Sequence, residues 1–446
     1  MSGLQSLKVF EDKLHLCNDC RCGFCRESCP VYFGTDRQSI VAPKGRNQAM
    51  QAALKGDIKP DKRLLESAFI CTTCGWCVEV CPQNNFLGHV GINAPLHMPS
   101  LNTGLRDALL QDNPALMPAG ATYLCESVSK CDSCFRVSKE GKVGWAKNLK
   151  LPASGSTVFF ASCMSTTMGF AEILLRRSES LEGIGLNYER LARILTKIQS
   201  LGLDGILLRP LSIFNPNKGY NESLRNATKC LSELSVDCAY LGEDEPCCGA
   251  PYHTYGQYQK FKEHAQKVYA RLRSKGVKEM ITLNPICGAI MRNYYPQVVP
   301  EWDIKVRHFS EVVAEQMPKG NLKLGLPKKA KVVFHDPCHL SRHQRVVDAP
   351  RKIIQQIDDV ELVEPRRCKF NSRCAGCGGL EATHPKIAKK IAEDRTKELL
   401  ETGADYVVTS CPACVMMIRV AAKDMGKDIK PIEISDIAWQ AMQNRT

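Results

Sequence analysis

The chain has no apolar run long enough to cross a bilayer, which takes about 20 consecutive apolar residues. Its opening stretch, MSGLQSLKVFEDK, contains no hydrophobic signal region. A cytoplasmic protein without a membrane span is expected, with any peripheral membrane association made through a partner. No G-x-G-x-x-G follows a strand-like run, so nothing marks a flavin or nicotinamide site, and hydride chemistry is expected in another subunit. Dense basic blocks are missing as well. The formal charge is +13, but lysine and arginine are spread along 446 residues with no more than short pairs such as Arg176-Arg177 and Arg366-Arg367. That distribution describes a solvated surface and no nucleic-acid partner. With 44% hydrophobic and 24% charged residues the composition is that of a soluble globular chain, and its length suggests about three domains.

What is abundant is cysteine, with 24 residues. Thiols in a reducing compartment are better explained by metal than by disulfides. The densest run is Cys71 to Pro82, CTTCGWCVEVCP, where Cys71, Cys74, Cys77 and Cys81 follow C-x2-C-x2-C-x3-C-P. That is an iron–sulfur spacing, in which three thiolates share one cluster and the fourth, set before the proline, ligates a second one. The partner loop lies upstream in Cys17 to Pro30, CNDCRCGFCRESCP, where Cys22, Cys25 and Cys29 repeat the last three positions and the proline. Crossed ligation then assigns Cys71, Cys74, Cys77 and Cys29 to one cluster. Cys22, Cys25 and Cys81 go to the other, with one more upstream thiol. Strict spacing would put that thiol at position 19, which is Asp19, and either Cys17 or Cys20 must serve. Small buried hydrophobes or a zinc site are the plainer readings of such cysteines; two runs of matching spacing, each closed by proline, argue against them. Each cluster with its thiolates is an object of charge about −2, so the loaded protein is only mildly basic.

Between the loops, Ala42 to Gly56 (APKGRNQAMQAALKG) predicts a helix opened by Pro43 and stopped by Gly56. Residues 90–120, rich in Pro, Asn and Gly, predict an extended connection with one short helix near Leu105 to Gln111. A trio follows at Cys125, Cys131 and Cys134, which would need a fourth ligand from elsewhere to hold a metal.

From about residue 155 the chain repeats itself. Thr157 to Ala161 is an apolar strand delivering Cys163, and Lys331 to Phe334 is another delivering Cys338 in HDPCHL. Met280 to Leu283 leads into NPICGAIM with Cys287, and Tyr406 to Thr409 leads into SCPACVMM with Cys411 and Cys414. Between these landmarks lie CCGAPYH, with Cys247 and Cys248, and CAGCGG, with Cys374 and Cys377. The order is the same twice, which indicates an internal duplication. Strands alternating with helical stretches such as Lys386 to Thr402 predict α/β layers, whose ligands gather beyond the carboxyl ends of strands. A cysteine at a helix start meets the positive end of the dipole, which favours a thiolate. His335, His339 and His343 flank Cys338 at four-residue spacing and would share a helix face. Structural hydrogen bonding is the ordinary role for such residues; proton delivery or metal ligation is the sharper one.

These motifs resemble the cysteine-rich CCG-domain family, in particular the D subunit of heterodisulfide reductase and the iron–sulfur subunits of glycolate and lactate oxidases. The likeness spans nearly the whole chain, and the APKGR stretch at Ala42 to Arg46 is similar to the family's Pro-Arg-Gly-Arg segment. The resemblance implies, per half, a lone Cys, then CCG, then C-x-x-C, five cysteines that in catalytic members hold a noncubane cluster that cleaves a disulfide. Neither half matches in full. The first carries Asn284 where C-x-x-C should begin, leaving Cys163, Cys247, Cys248 and Cys287. The second has Ala375 at the second position of CCG, with Cys377 two residues on and Cys368 nearby.

The expected fold is α+β and multidomain: a helical, two-[4Fe-4S] ferredoxin-like domain over residues 1–100, a linker with the cysteine trio over 101–155, and two duplicated α/β CCG domains. The first of these, degenerate, covers 156–318, and the second covers 328–446. A further iron–sulfur cluster is expected in the second CCG domain; the first either holds one on its four thiolates or is a scaffold domain without metal. The expected function is an electron-transfer subunit of a hetero-oligomeric oxidoreductase, relaying electrons between a flavoprotein or other redox subunit and the C-terminal half. The alternatives are a catalytic heterodisulfide or disulfide reductase subunit, with the C-terminal half itself the catalyst, and an assembly scaffold with a redox-active ferredoxin domain.

Overall fold

The computed structural model describes residues 5–86, 91–183, 187–202, 216–317, 322–326 and 328–444. The expected boundary of the first CCG domain at residue 318 lies outside them. The N-terminal unit is helical. The helix Pro43–Lys55 starts with proline in its first turn and ends at Gly56, whose φ of 82° is the left-handed cap that glycine supplies without strain. It lies between the two cysteine loops and shares a buried apolar cluster with Leu14, Cys17, Phe69, Val78 and Cys81.

The connection after the second loop differs from expectation. In place of a short helix near Leu105 to Gln111, Met98–Asp112 is helical for 15 residues. His97 caps it by accepting from Ser100 N, and Pro99 falls in the first turn where a missing N–H costs nothing. Gly104 is a packing contact here, because a Cβ would meet the Phe10 ring at 2.5 Å. Leu101, Leu105 and Leu109 join the same core as the cysteine loops.

The duplication is visible in the sheets. In the first half, β1 (Thr157–Phe160), β2 (Glu279–Thr282) and β3 (Lys305–His308) form a parallel sheet in the order β1-β2-β3. Ala239 adds a parallel bridge on the far side of β1 at Val158. In the second half, β4 (Ala330–His335), β5 (Val360–Val363), β6 (Tyr406–Thr409) and β7 (Ile432–Glu433) form a parallel sheet in the order β5-β4-β6-β7. The Ala239 bridge, β1, β2 and β3 therefore repeat β5, β4, β6 and β7 position for position. Every strand is short, and both halves send their first and third elements into helices that begin with cysteine motifs, Cys163–Gly183 and Pro285–Ala289 against Cys338–Gln344 and Pro412–Asp424. The two sheets share one core, in which Phe159 and Ile281 pack with Val332, Phe334 and Val408. The helix Ala119–Cys131 and Cys134 belong to the core of the first half. Cys230 and Cys238 sit among aliphatic side chains and serve as small hydrophobes.

Candidate metal centres

The structure brings the two N-terminal loops together in the crossed arrangement. One cavity is lined by Cys29 from the first loop and Cys71, Cys74 and Cys77 from the second, walled by Pro43, Arg46 and Asn102. Burial first, then Cys71 and Cys74, push the Cys29 thiol up to about 12. A group of protonated thiols crowded in an apolar place is costly to ionise unless a cation takes up the charge. Cys81 in turn acts electrostatically on Cys17 and Cys22 of the first loop. Cys20 is 3.3 Å from Cys22 through their sulfurs. Cys17 is buried and accepts from Asn47 Nδ2 at 3.3 Å, and burial followed by Cys17 pushes Cys25 up to about 12. The Lys44-Gly45-Arg46 segment holds this geometry. Lys44 Nζ donates to the carbonyls of Cys17 and Asn18 at 2.7 and 2.9 Å, and a Cβ on Gly45 would strike Ser39 O at 2.0 Å. Arg46 bonds Asn102 and, at 3.0 Å, Val41 O. Arg106, fully buried on the unexpected helix, clamps the start of the second loop by donating to Ala68 O, Phe69 O and Cys71 O at 2.8, 3.4 and 3.1 Å. Nothing in the spacing of the sequence pointed to Arg106.

The second half collects Cys377, Cys411 and Cys414 with their sulfurs within 4.8 Å of one another, all buried. Cys411 caps the helix Pro412–Asp424, its sulfur accepting from Cys414 N at 3.3 Å. Burial raises the Cys411 pKa, but hydrogen bonds from Cys377, Cys414 and the backbone N–H groups of residues 413 and 414 outweigh it, and Cys411 is held well below an ordinary thiol. The helix start thus favours the ionised form at Cys411, as the sequence suggested, whereas burial pushes the Cys414 thiol up. The other two cysteines of this half, Cys338 and Cys374, adjoin the triad, Cys338 acting electrostatically on Cys414 and Cys374 lying 3.9 Å from Cys377 O. Cys374 lies between Cys338 and Cys74, thiol against thiol on both sides. Gly378, with φ of 96°, permits the approach, since a Cβ there would meet Thr72 O at 2.5 Å. Cys368 lies apart beside Glu364 and Arg351.

One of the three histidines, His343, lies against the second loop. His335 ends β4 rather than sitting on a helix, so the expected common face does not form; it accepts from Arg395 Nε at 3.0 Å. His339 and His343 are on the helix Cys338–Gln344 and stack with ring centroids 4.5 Å apart. His343 Nε2 bonds Thr73 O at 2.9 Å. Between them Arg342 donates to Cys74 O at 2.6 Å and to Phe370 O and Ser372 O at 3.0 and 2.7 Å. Arg342 is 2% exposed, and among the described residues its Nη2 has no hydrogen-bond partner. A buried cation beside Cys74, Cys338 and Cys374 is what a site for an anionic cluster requires.

The first half brings together the four cysteines expected there and adds a fifth. Cys163 is 3.5 Å from Cys247 and 3.7 Å from Cys134, and Cys248 is 3.2 Å from Cys287. Asn284, in the place of a cysteine, caps its helix by accepting from Ile286 N at 2.9 Å and donates to Ser162 Oγ at 3.1 Å. Beside this site an apolar cavity between the halves is lined by Cys134, Phe135, Met164, Met168, Tyr188 and Met416, with Glu381 at its wall. Burial pushes the Glu381 carboxyl up to about 7.

Comparison with known proteins agrees with this geometry. The 4Fe-4S dicluster domain matches residues 13–85, and the Cysteine-rich domain, CCG, matches twice, at 212–292 and 332–419. The chain is 24% identical over 443 residues to the D subunit of the dihydromethanophenazine:CoB--CoM heterodisulfide reductase of Methanosarcina acetivorans, covering 95% of this chain and 93% of that one. It is 23% identical over 451 residues to the probable glycolate oxidase iron-sulfur subunit of Bacillus subtilis, covering 98% and 96%. It is 22% identical over 493 residues to the EtfAB:quinone oxidoreductase of Syntrophomonas wolfei, covering 99% of this chain and 60% of that protein. The dicluster match places two [4Fe-4S] clusters in the N-terminal unit, and the buried cysteine triads of the two halves are suited to further iron–sulfur clusters. No helix among the described residues is long and apolar enough to cross a membrane. With a dicluster domain match over its paired loops and the cysteine-rich domain matched twice behind it, the chain is similar along most of its length to CCG-domain iron–sulfur proteins.

Proposed function

We propose that the chain is the iron–sulfur subunit of an oxidoreductase complex, passing electrons between a flavoprotein or other redox subunit and its own second CCG half. The observation that carries this reading is the buried line of thiols Cys74, Cys374 and Cys338, which joins the second N-terminal loop to the C-terminal pocket. Cys29, Cys71, Cys74 and Cys77 would hold one cubane cluster. Cys17, Cys22, Cys25 and Cys81 would hold the other, Cys20 being the spare because Asn47 and the Lys44 contact serve Cys17. Cys338, Cys374, Cys377, Cys411 and Cys414 form the C-terminal set. Iron–sulfur clusters at such sites supply one-electron steps with little change in geometry. The protein's own residues fix the spacing: Arg342 and His343 tie the backbone of residues 73 and 74 to the second half, and Gly378 closes the gap. Cys20 and Cys22 are half-exposed beside Phe24, which is 61% exposed, and this face is where we place the redox partner. We place the chain in the cytoplasm within a hetero-oligomer, any membrane association coming through that partner.

The test is a reductive titration of the purified holoprotein with a photoreduced flavin as donor, followed by electron paramagnetic resonance. Reducing equivalents should arrive in the N-terminal signals and then in the C-terminal one, and Cys17→Ser should cost a cluster while Cys20→Ser keeps full iron. A C-terminal signal that never takes up electrons, with its iron in place, would overturn the reading.

A further inference from the structure

The first half lacks the opening cysteine of its C-x-x-C motif, and the structure places another thiol in the same pocket from outside the repeat. Cys134 comes from the linker, just past the helix Ala119–Cys131, and is 3% exposed. Its sulfur is 3.7 Å from Cys163, and the sulfurs of Cys134, Cys163 and Cys247 all lie within 4.8 Å of one another. The placement is built, not incidental. Asp132 turns the chain with a left-handed φ of 52°; its Oδ1 accepts from Cys247 N at 2.9 Å, and its Oδ2 is paired with Arg271. The linker is thereby fastened to the backbone of the CCG turn at the residue that offers the Cys247 thiol. Asn284 meanwhile does what Cys411 does in the other half, capping its helix, while giving no sulfur.

We infer that Cys134 is the fifth sulfur ligand of an iron–sulfur cluster in the first half, replacing the cysteine that Asn284 displaced. With Cys163, Cys247, Cys248 and Cys287 it restores a set of five thiols, equal in number to that of the second half, and ties the linker into the redox core. Loading deprotonates the thiols, so metal uptake releases protons and is favoured at higher pH. The proposal rests on the reading that the CCG halves hold clusters.

The experiment measures iron and acid-labile sulfide per chain, with electron paramagnetic resonance and Mössbauer spectra, on the purified holoprotein. Two cubane clusters account for about eight irons. The wild type should exceed that number, Cys134→Ser should lose iron while the two N-terminal signals stay unchanged, and Cys125→Ser, on the preceding helix, should lose none. Adding Asn284→Cys to Cys134→Ser should restore the iron, because the missing thiol returns from the other side of the pocket. Should Cys134→Ser fail to fold, that double variant carries the test by itself: a soluble protein with full iron supports the assignment, and one as iron-poor as a Cys163→Ser variant overturns it. Wild-type iron above about eight with Cys134→Ser unchanged in iron and spectra overturns the role of Cys134 and leaves the clusters standing. Iron of about eight in the wild type overturns the cluster reading of both halves at once.

Discussion

The two halves begin alike and diverge on one helix face. After the first strand each has a cysteine at a helix start, Cys163 or Cys338. One, four and five residues on, the first half has Met164, Thr167 and Met168, which line the apolar cavity. The second has His339, Arg342 and His343, of which Arg342 and His343 bind the ferredoxin loop backbone. The same fold thus offers either an apolar wall or a docking surface, decided by three side chains. The cost of the polar choice is a buried guanidinium, offset by three carbonyl acceptors; a cluster held on the neighbouring Cys74, Cys338 and Cys374 would offset it further. The second half is joined to the second cysteine loop through Arg342 and His343, and the first half is joined to the linker through Asp132 and Cys134.

The largest expected effect separates the halves directly. Cys411→Ser removes the thiolate that caps its helix and should abolish the second-half cluster, read as lost iron, while leaving the first-half signals in place. If first-half iron fell with it, the halves would form one cooperative site and could not be contrasted as separate ones. Next in size is Arg342→Met, which leaves three buried carbonyls without their donor and should destabilise the chain by about 3 kcal/mol in denaturant melts. Thr167→Ala, at the matching position, breaks bonds to the Cys163 and Met164 carbonyls, 2.8 and 3.5 Å away, and should cost about 1 kcal/mol. Equal effects would mean that Arg342 does no more than an ordinary helix residue.

The halves also differ where their last strands end. His308 and Glu433 occupy equivalent caps, each at the start of a helix. His308 is buried, bonds Ser310 Oγ and Leu283 O, and burial holds it down to about 4. A histidine whose folded pKa lies below its unfolded value of about 6.5 contributes stability above that pH, and the contribution is lost as pH falls from about 6.5 towards 4. Because the ring is fully buried, His308→Asn, which keeps a capping oxygen, should flatten the acid side of the stability profile by about 3 kcal/mol. An unchanged slope would place the acid sensitivity in other buried histidines such as His97 and His253, both held down to about 3 by burial. A comparably small effect is expected for Asn284→Ala, about 1 kcal/mol from the lost cap, with iron content unchanged.

Much of this arrangement was legible in the sequence because it is written in local spacing. The C-x2-C-x2-C-x3-C-P loop and its partial copy upstream, the apolar strands ahead of Cys163, Cys338 and Cys411, and the Pro43 and Gly56 boundaries each lie within a few residues. The helix Met98–Asp112 was not legible, because its Pro99, Asn102 and Gly104 look like breakers until the His97 cap and the Phe10 contact are seen. Arg106 and Arg342 act across 35 and 268 positions of sequence, and no spacing rule reaches that far. Cys134 could be suspected only from arithmetic: the first half was one thiol short and the linker had thiols to spare.

If the second N-terminal loop and the second CCG half form one electron path across Cys74, Cys374 and Cys338, their clusters must sense each other magnetically. The direct measurement is electron paramagnetic resonance of the fully reduced holoprotein, compared with the Cys411→Ser variant. The signal of the Cys29, Cys71, Cys74 and Cys77 site should be broadened by spin coupling to the C-terminal site, and should sharpen when Cys411→Ser removes that partner. A spectrum that is the plain sum of independent centres, unaltered at the N-terminal site while C-terminal iron is lost, would contradict a single path.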